Sequence, residues 1–158
     1  GEAMVDCYTA AMRILKVRFN SEVELRRKLR SRRFEGADID ATIERLRAEK
    51  WLDDQRFAGA FVRTRSNKRV GKLRIRRELQ AAGVSADDAK RALSENVDPE
   101  KEQEGLVALC AKRMRNLARK HGPDYVKTET GQSALVGYLV AQGYDSTLVR
   151  EVVREHAG

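Results

Sequence analysis

Nine Lys or Arg side chains lie between Asp54 and Glu78, and no Asp or Glu interrupts them. They are Arg56, Arg63, Arg65, Lys68, Arg69, Lys72, Arg74, Arg76 and Arg77. Seven of the nine are arginine, whose planar fork pairs bidentately with phosphate or carboxylate and loses less hydration than an ammonium. Such a set suits the recognition of an anion rather than the making of bonds. Residues 1–54 hold 12 basic and 11 acidic groups and residues 78–158 hold 11 and 13, so the formal +8 of the chain belongs to this one stretch. A field that local attracts a polyanion such as nucleic acid, or an acidic protein surface. A merely solvated basic face is the alternative. A second run, with Arg26, Arg27 and Arg30, lies in the first third of the chain.

Residues suited to catalysis are not arranged for it. The sequence has no phosphate-cradling Gly loop, no Cys/His ligand cluster, and no Ser or Cys with a base nearby. It therefore reads as a non-enzyme without cofactor or metal. Asp53–Asp54 and Asp87–Asp88 could suggest acid–base or metal chemistry, but helix capping is the simpler account. Trp51 reads as a structural wedge, with a partner hot spot as the alternative. No exposed aromatic is evident among the basic residues, so base stacking on single strands is not expected.

The elements that position these cations read as helix nearly throughout, with apolar residues at three- and four-residue intervals and no sustained alternation. An apolar ladder recurs three times with the same steps. Its copies are Leu29, Phe34, Ile39, Ile43; then Leu79, Val84, Ala89, Leu93; then Leu139, Tyr144, Val149, Val153. Arg33, Gly83 and Gly143 precede the second rungs, and glycine there is the residue that closes a helix in a left-handed conformation. Each ladder thus spans a helix end, a tight turn and a helix start. The expected fold is all-α: three tandem three-helix repeats, 1–50, 51–97 and 98–158, in an elongated, curved, solenoid-like rod. Ser21-x-x-Glu24 is a capping box, Ser85-x-x-Asp88 resembles one, Asp98–Pro99 opens a helix, and Asp145 caps the last. With 35% charged and 6% aromatic residues the core is thin. No apolar run is long enough for a membrane span. No signal-peptide pattern is read, Gly1 reads as an expression scar, and Cys7 and Cys110 read as free thiols of a reducing cytoplasm.

Two segments then carry a likeness. Trp51-Leu52-Asp53-Asp54-Gln55-Arg56-Phe57-Ala58, running on to Phe61-Val62-Arg63, resembles the Leu-Asp-Asp-x-Arg-Phe-Ala signature of RecX regulatory proteins. Gly71-Lys72-Leu73-Arg74-Ile75-Arg76-Arg77-Glu78-Leu79, ending at Ala82-Gly83-Val84, is similar to the family's Gly-x-x-x-Ile-x-x-Glu-Leu-x-x-x-Gly segment. Ser21-Glu22-x-Glu24-Leu25-Arg26-Arg27-Lys28-Leu29 resembles its first-repeat pattern. The likeness covers the first two repeats closely and the third only by its ladder. The family usually has Gly where this chain has Arg33, so that turn must be made by another route or with strain. The third repeat also lacks basic residues on its second helix.

The resemblance implies a monomeric negative regulator that docks in the groove of the RecA–single-stranded DNA filament. It would inhibit ATP hydrolysis, strand exchange, co-protease activity and filament growth. Arg63, Arg65, Lys68, Arg69, Lys72, Arg74, Arg76 and Arg77 would carry the attraction, extended by Arg26, Arg27 and Arg30. The alternative is a non-enzymatic, sequence-nonspecific DNA-binding protein. Its third helices begin with acidic residues (Asp38, Asp87–Asp88, Asp145), which argues against reading bases in the major groove.

Overall fold

The computed structural model describes residues 5–158; the reading of Gly1 lies outside them. The described chain is all-helical: α1 (Cys7–Val17), α2 (Glu22–Ser31), α3 (Gly36–Ala48), α4 (Asp54–Asn67), α5 (Lys72–Ala81), α6 (Ala86–Asn96), α7 (Pro99–His121), α8 (Glu129–Ala141) and α9 (Ser146–Ala157). A short 3₁₀ turn, Tyr125–Lys127, precedes α8. No strand occurs among the described residues, and none of their helices is long and apolar enough to cross a membrane.

The helix starts are chemically specified. Ser21 and Glu24 form a reciprocal capping box on α2, satisfying two orphan N–H groups. Asp53, rather than Asp54, caps α4, its Oδ1 accepting from Gln55 N at 2.9 Å and Arg56 N at 3.3 Å. Asp98 caps α7 ahead of Pro99, Asp145 caps α9, and the Asp88 N–H donates to Ser85 Oγ at 3.1 Å.

Helix ends repeat one device. After α2, Phe34 N–H donates to the Leu29 carbonyl and Arg33 N–H to that of Arg30; after α5, Val84 pairs with Leu79 and Gly83 with Gln80. The same pair of bonds closes α3 at Lys50–Trp51 and α4 at Arg69–Val70. This Schellman closure needs a left-handed residue before its apolar one. Gly83 (φ +83°) and Gly143 (φ +102°) supply it at little cost, but Arg33 (φ +66°), Lys50 (φ +62°) and Arg69 (φ +58°) adopt it despite a Cβ. The turn at Arg33 is therefore the expected one, held with strain. Cations at these positions also face the negative ends of the helix dipoles, which offsets part of that strain.

The described chain forms two compact units. One comprises the chain up to Phe61 together with Leu79–Ala92; the other comprises Val62–Glu78 together with Leu93–Gly158. The core of the first includes Ala11, Leu25, Leu29, Ile43 and Leu46, all fully buried. Within this unit Ser21 Oγ donates to the Ala82 carbonyl at 2.5 Å, and Glu22 N–H donates to Asp54 Oδ1 at 2.9 Å. The core of the second gathers Leu106, Cys110, Leu135, Leu139, Tyr144 and Val149. All twelve ladder residues contribute inward, with Phe34 and Leu93 only half-buried. Cys7 and Cys110 are buried and unpaired.

Candidate functional site

In the second unit the basic segment runs from the end of α4 through the turn at Lys68–Gly71 into α5. Ile75 and Leu79 are fully buried, four residues apart on α5, so Arg76 and Arg77 fall on its solvent side. The turn is seated by backbone. Gly71 N–H donates to the Gln142 carbonyl at 2.9 Å, and Leu73 N–H donates to that of Gly143 at 3.0 Å.

The predicted cations divide into two kinds. Lys68, Arg69, Lys72, Arg76 and Arg77 are exposed and make no ion pair among the described residues. Arg63 is exposed too and donates to Asn96 Oδ1 at 2.9 Å. Arg65 differs. Its fork grips both oxygens of Glu78, at 2.9 and 2.7 Å, with both side chains about three-quarters buried (25% and 29% exposed). Arg74 leans on the same carboxylate at 3.8 Å and donates to Gln142 Oε1 at 3.2 Å. A bidentate pair so placed fixes α5 against the end of α4, and its charge is largely cancelled at short range.

The first unit shows the same division. Arg27 and Arg30 are exposed without a carboxylate partner among the described residues, whereas Arg26 bonds Glu22 at 3.2 Å and Asp40 at 2.6 Å. Arg47 joins the network through Glu22 and Glu44. Hydrogen bonds from Arg47 and then Arg26 outweigh burial and hold the Glu22 carboxyl below its ordinary range. Arg26 thus ties α2 to α3.

Trp51 departs from expectation: it is 50% exposed rather than a buried wedge. Phe19 is 47% exposed as well. Leu52, not Trp51, turns into the core at 5%. Among the basic residues themselves Phe57 is buried and Phe61 half-buried, as expected, but from outside that stretch the Phe19 ring centroid lies 5.0 Å from the Arg56 guanidinium. Chain position gave the only signal: Trp51 follows directly on the left-handed closure at Lys50, where side-chain direction depends on the turn.

Among the described residues no group of three His, Cys, Asp or Glu is placed to hold a metal ion. A cleft of about 310 Å³ in the second unit, beside Arg63, Lys101, Glu102 and the buried Tyr144, mixes both signs of charge.

Comparison with known proteins places this architecture. Residues 7–46 match the model of the first three-helix domain of RecX, and residues 53–93 match that of the second. The chain belongs to the RecX family. It is 32% identical to the regulatory protein RecX of Serratia proteamaculans (strain 568), over 98% of this chain and 99% of that protein. To the regulatory protein RecX of Clostridium botulinum (strain Alaska E43 / Type E3) it is 30% identical, over 98% of this chain and 70% of the relative. The crystal structure of RecX from Lactobacillus salivarius superposes with a TM-score of 0.77 at 25% identity, covering 94% of this chain and 93% of that one. In this RecX-family chain, α1–α3 and α4–α6 correspond to the two matched domains.

Proposed function

We propose that this RecX-family chain is a cytoplasmic, monomeric regulatory protein, without catalytic activity of its own, that restrains the RecA recombinase. It docks in the groove of the RecA–single-stranded DNA filament and inhibits ATP hydrolysis, strand exchange and filament growth. The observation that carries this reading is the set of exposed, unpaired cations from Lys68 to Arg77, on a chain whose relatives are named regulatory proteins. A groove holding DNA phosphate and acidic protein surface attracts such a set and speeds its encounter. Arg76, Arg77, Lys72, Lys68, Arg69 and Arg63 make the contacts, with Arg27 and Arg30 extending them. Arg65, Arg74 and Arg26 act as positioning residues, because carboxylates within the fold already engage them. We also assign α7–α9 as a third repeat, giving the partition 1–50, 51–97 and 98–158.

The test is charge reversal of Arg76 and Arg77 together, with ATP turnover of preformed RecA filaments as the readout. Both side chains are exposed, so helicity stays as in the wild type while inhibition weakens at least about tenfold. Unchanged inhibition refutes the placement. A salt series on bare DNA separates the alternative of nonspecific DNA binding, in which log affinity falls linearly with log salt and accounts for the whole effect. The acidic first turns of α3 (Asp38) and α6 (Asp87, Asp88) disfavour base reading by those helices.

A further inference from the structure

Phe19 and Trp51 stand half in solvent. Arg56 lies over the Phe19 ring and donates from Nη2 to the Lys50 carbonyl at 2.9 Å, the group that leads directly into Trp51. Both aromatics are fixed from behind. Trp51 is the closing residue of α3, with its backbone N–H on the Leu46 carbonyl at 2.9 Å. The neighbouring Glu49 carboxylate accepts from Tyr8 Oη at 2.7 Å and Arg45 Nε at 2.7 Å, which steadies the end of α3. Phe19 is held by its carbonyl, which accepts from Arg18 Nη1 at 2.8 Å, while Arg18 rests on Glu24.

Both signs of charge lie close by, since Lys50 lines a cleft with Arg47, Glu22, Asp53, Asp54 and Asp88. Lys50 and Arg56 are exposed and make no ion pair among the described residues. The nearby acids are engaged elsewhere: Asp53 accepts the N–H groups of Gln55 and Arg56, and Asp54 accepts that of Glu22. Fixed aromatic surface beside unpaired cations fits an unstacked base and its phosphate. A protein anchor, by contrast, is favoured where a pocket excludes water around it, and these rings are half-solvated.

We propose that Trp51, Phe19 and Arg56 form a stacking site for single-stranded nucleic acid, the base on Trp51 and the phosphate on Arg56 and Lys50. This site is independent of the filament reading, since it requires only a bare strand. Trp51 is the sole tryptophan, so its fluorescence reports on the site alone. The probes are an oligothymidylate and an abasic sugar–phosphate strand of equal length, with affinity measured by anisotropy. The oligothymidylate quenches Trp51 emission, and Trp51→Ala weakens its binding about 5- to 100-fold, the range for one stacked base. Phe19→Ala acts in the same direction, and Trp51→Phe retains most of the affinity. The abasic strand binds without quenching and is indifferent to Trp51→Ala. Circular dichroism verifies that each variant keeps its helicity. Equal binding of both strands, or oligothymidylate affinity unaltered in Trp51→Ala and Phe19→Ala, overturns the proposal. So does a result in which both variants lose only filament inhibition, which reassigns the rings to a protein contact.

Discussion

Gly71→Ala should unseat the basic turn, and the structure gives the size of the effect. In the second unit, a Cβ built on Gly71 falls 2.5 Å from the Tyr144 nitrogen and closer still to the carbonyl carbon and oxygen of Gly143. These are backbone atoms, so no side-chain rotation relieves the overlap. Gly143 cannot yield either, because its own Cβ position lies 2.7 Å from the Arg74 nitrogen and the Gly71 oxygen. Restoring ordinary contact requires a separation of about 1 Å. The bonds Gly71 N–H to Gln142 and Leu73 N–H to Gly143, now 2.9 and 3.0 Å, then open beyond hydrogen-bonding range. Two donors left without partners cost about 1–3 kcal/mol each. The smaller unfolded-state entropy of Ala returns about 0.5–1 kcal/mol. The net expectation is a loss of about 1–5 kcal/mol, a large share of the stability of an ordinary domain. Urea denaturation with a common m-value measures it, and amide exchange at Leu73 locates it. Gly137→Ala is the control: it lies in α8 with open space around its Cβ position, and should stabilise by about 0.5–1 kcal/mol. A Gly71→Ala protein within about 0.5 kcal/mol of wild type, with Leu73 still protected, would refute the reasoning.

Two further outcomes follow from the backbone and the core. Tyr144 is 2% exposed, and burial, aided by Glu102, pushes its phenol from 10.0 up to about 12. The unfolded chain therefore releases this proton at lower pH than the folded one, and stability falls as pH rises from about 10 towards 12, by up to roughly 2 kcal/mol. Urea midpoints across that window should fall less steeply in Tyr144→Phe; parallel slopes would contradict this. Arg33→Gly relieves a left-handed residue that costs roughly 1–2 kcal/mol, against about 0.5–1 kcal/mol of added unfolded-state freedom. A gain of about 0.5–1 kcal/mol in thermal or urea stability is expected, and any loss would show that the Arg33 side chain contributes more than its strain removes.

Much of the local structure was legible in the chain. Ser21-x-x-Glu24, Asp98–Pro99 and Asp145 name their helix starts because a cap acts within three residues of itself. The apolar ladder marks helix ends and starts for the same reason: Leu29 with Phe34, and Leu79 with Val84, are joined by hydrogen bonds local in sequence. The family resemblance also rested on contiguous residues, and the matched domains at 7–46 and 53–93 agree with it.

The candidate site was legible only as a charge total. Composition and order place nine cations between Asp54 and Glu78 and a helix under nearly all of them, because backbone propensity, capping and apolar spacing are local properties. They leave open which cations stay available, since ion pairing depends on side chains brought close by folding. Arg65 meets Glu78 thirteen residues on and Arg26 meets Asp40 fourteen on, while Arg76 and Arg77 meet no carboxylate among the described residues. The two half-exposed aromatics follow the same logic. Leu52 enters the core and Trp51 does not because the turn at Lys50 sets their directions, and only the packed tertiary structure decides which of two adjacent apolar residues is buried.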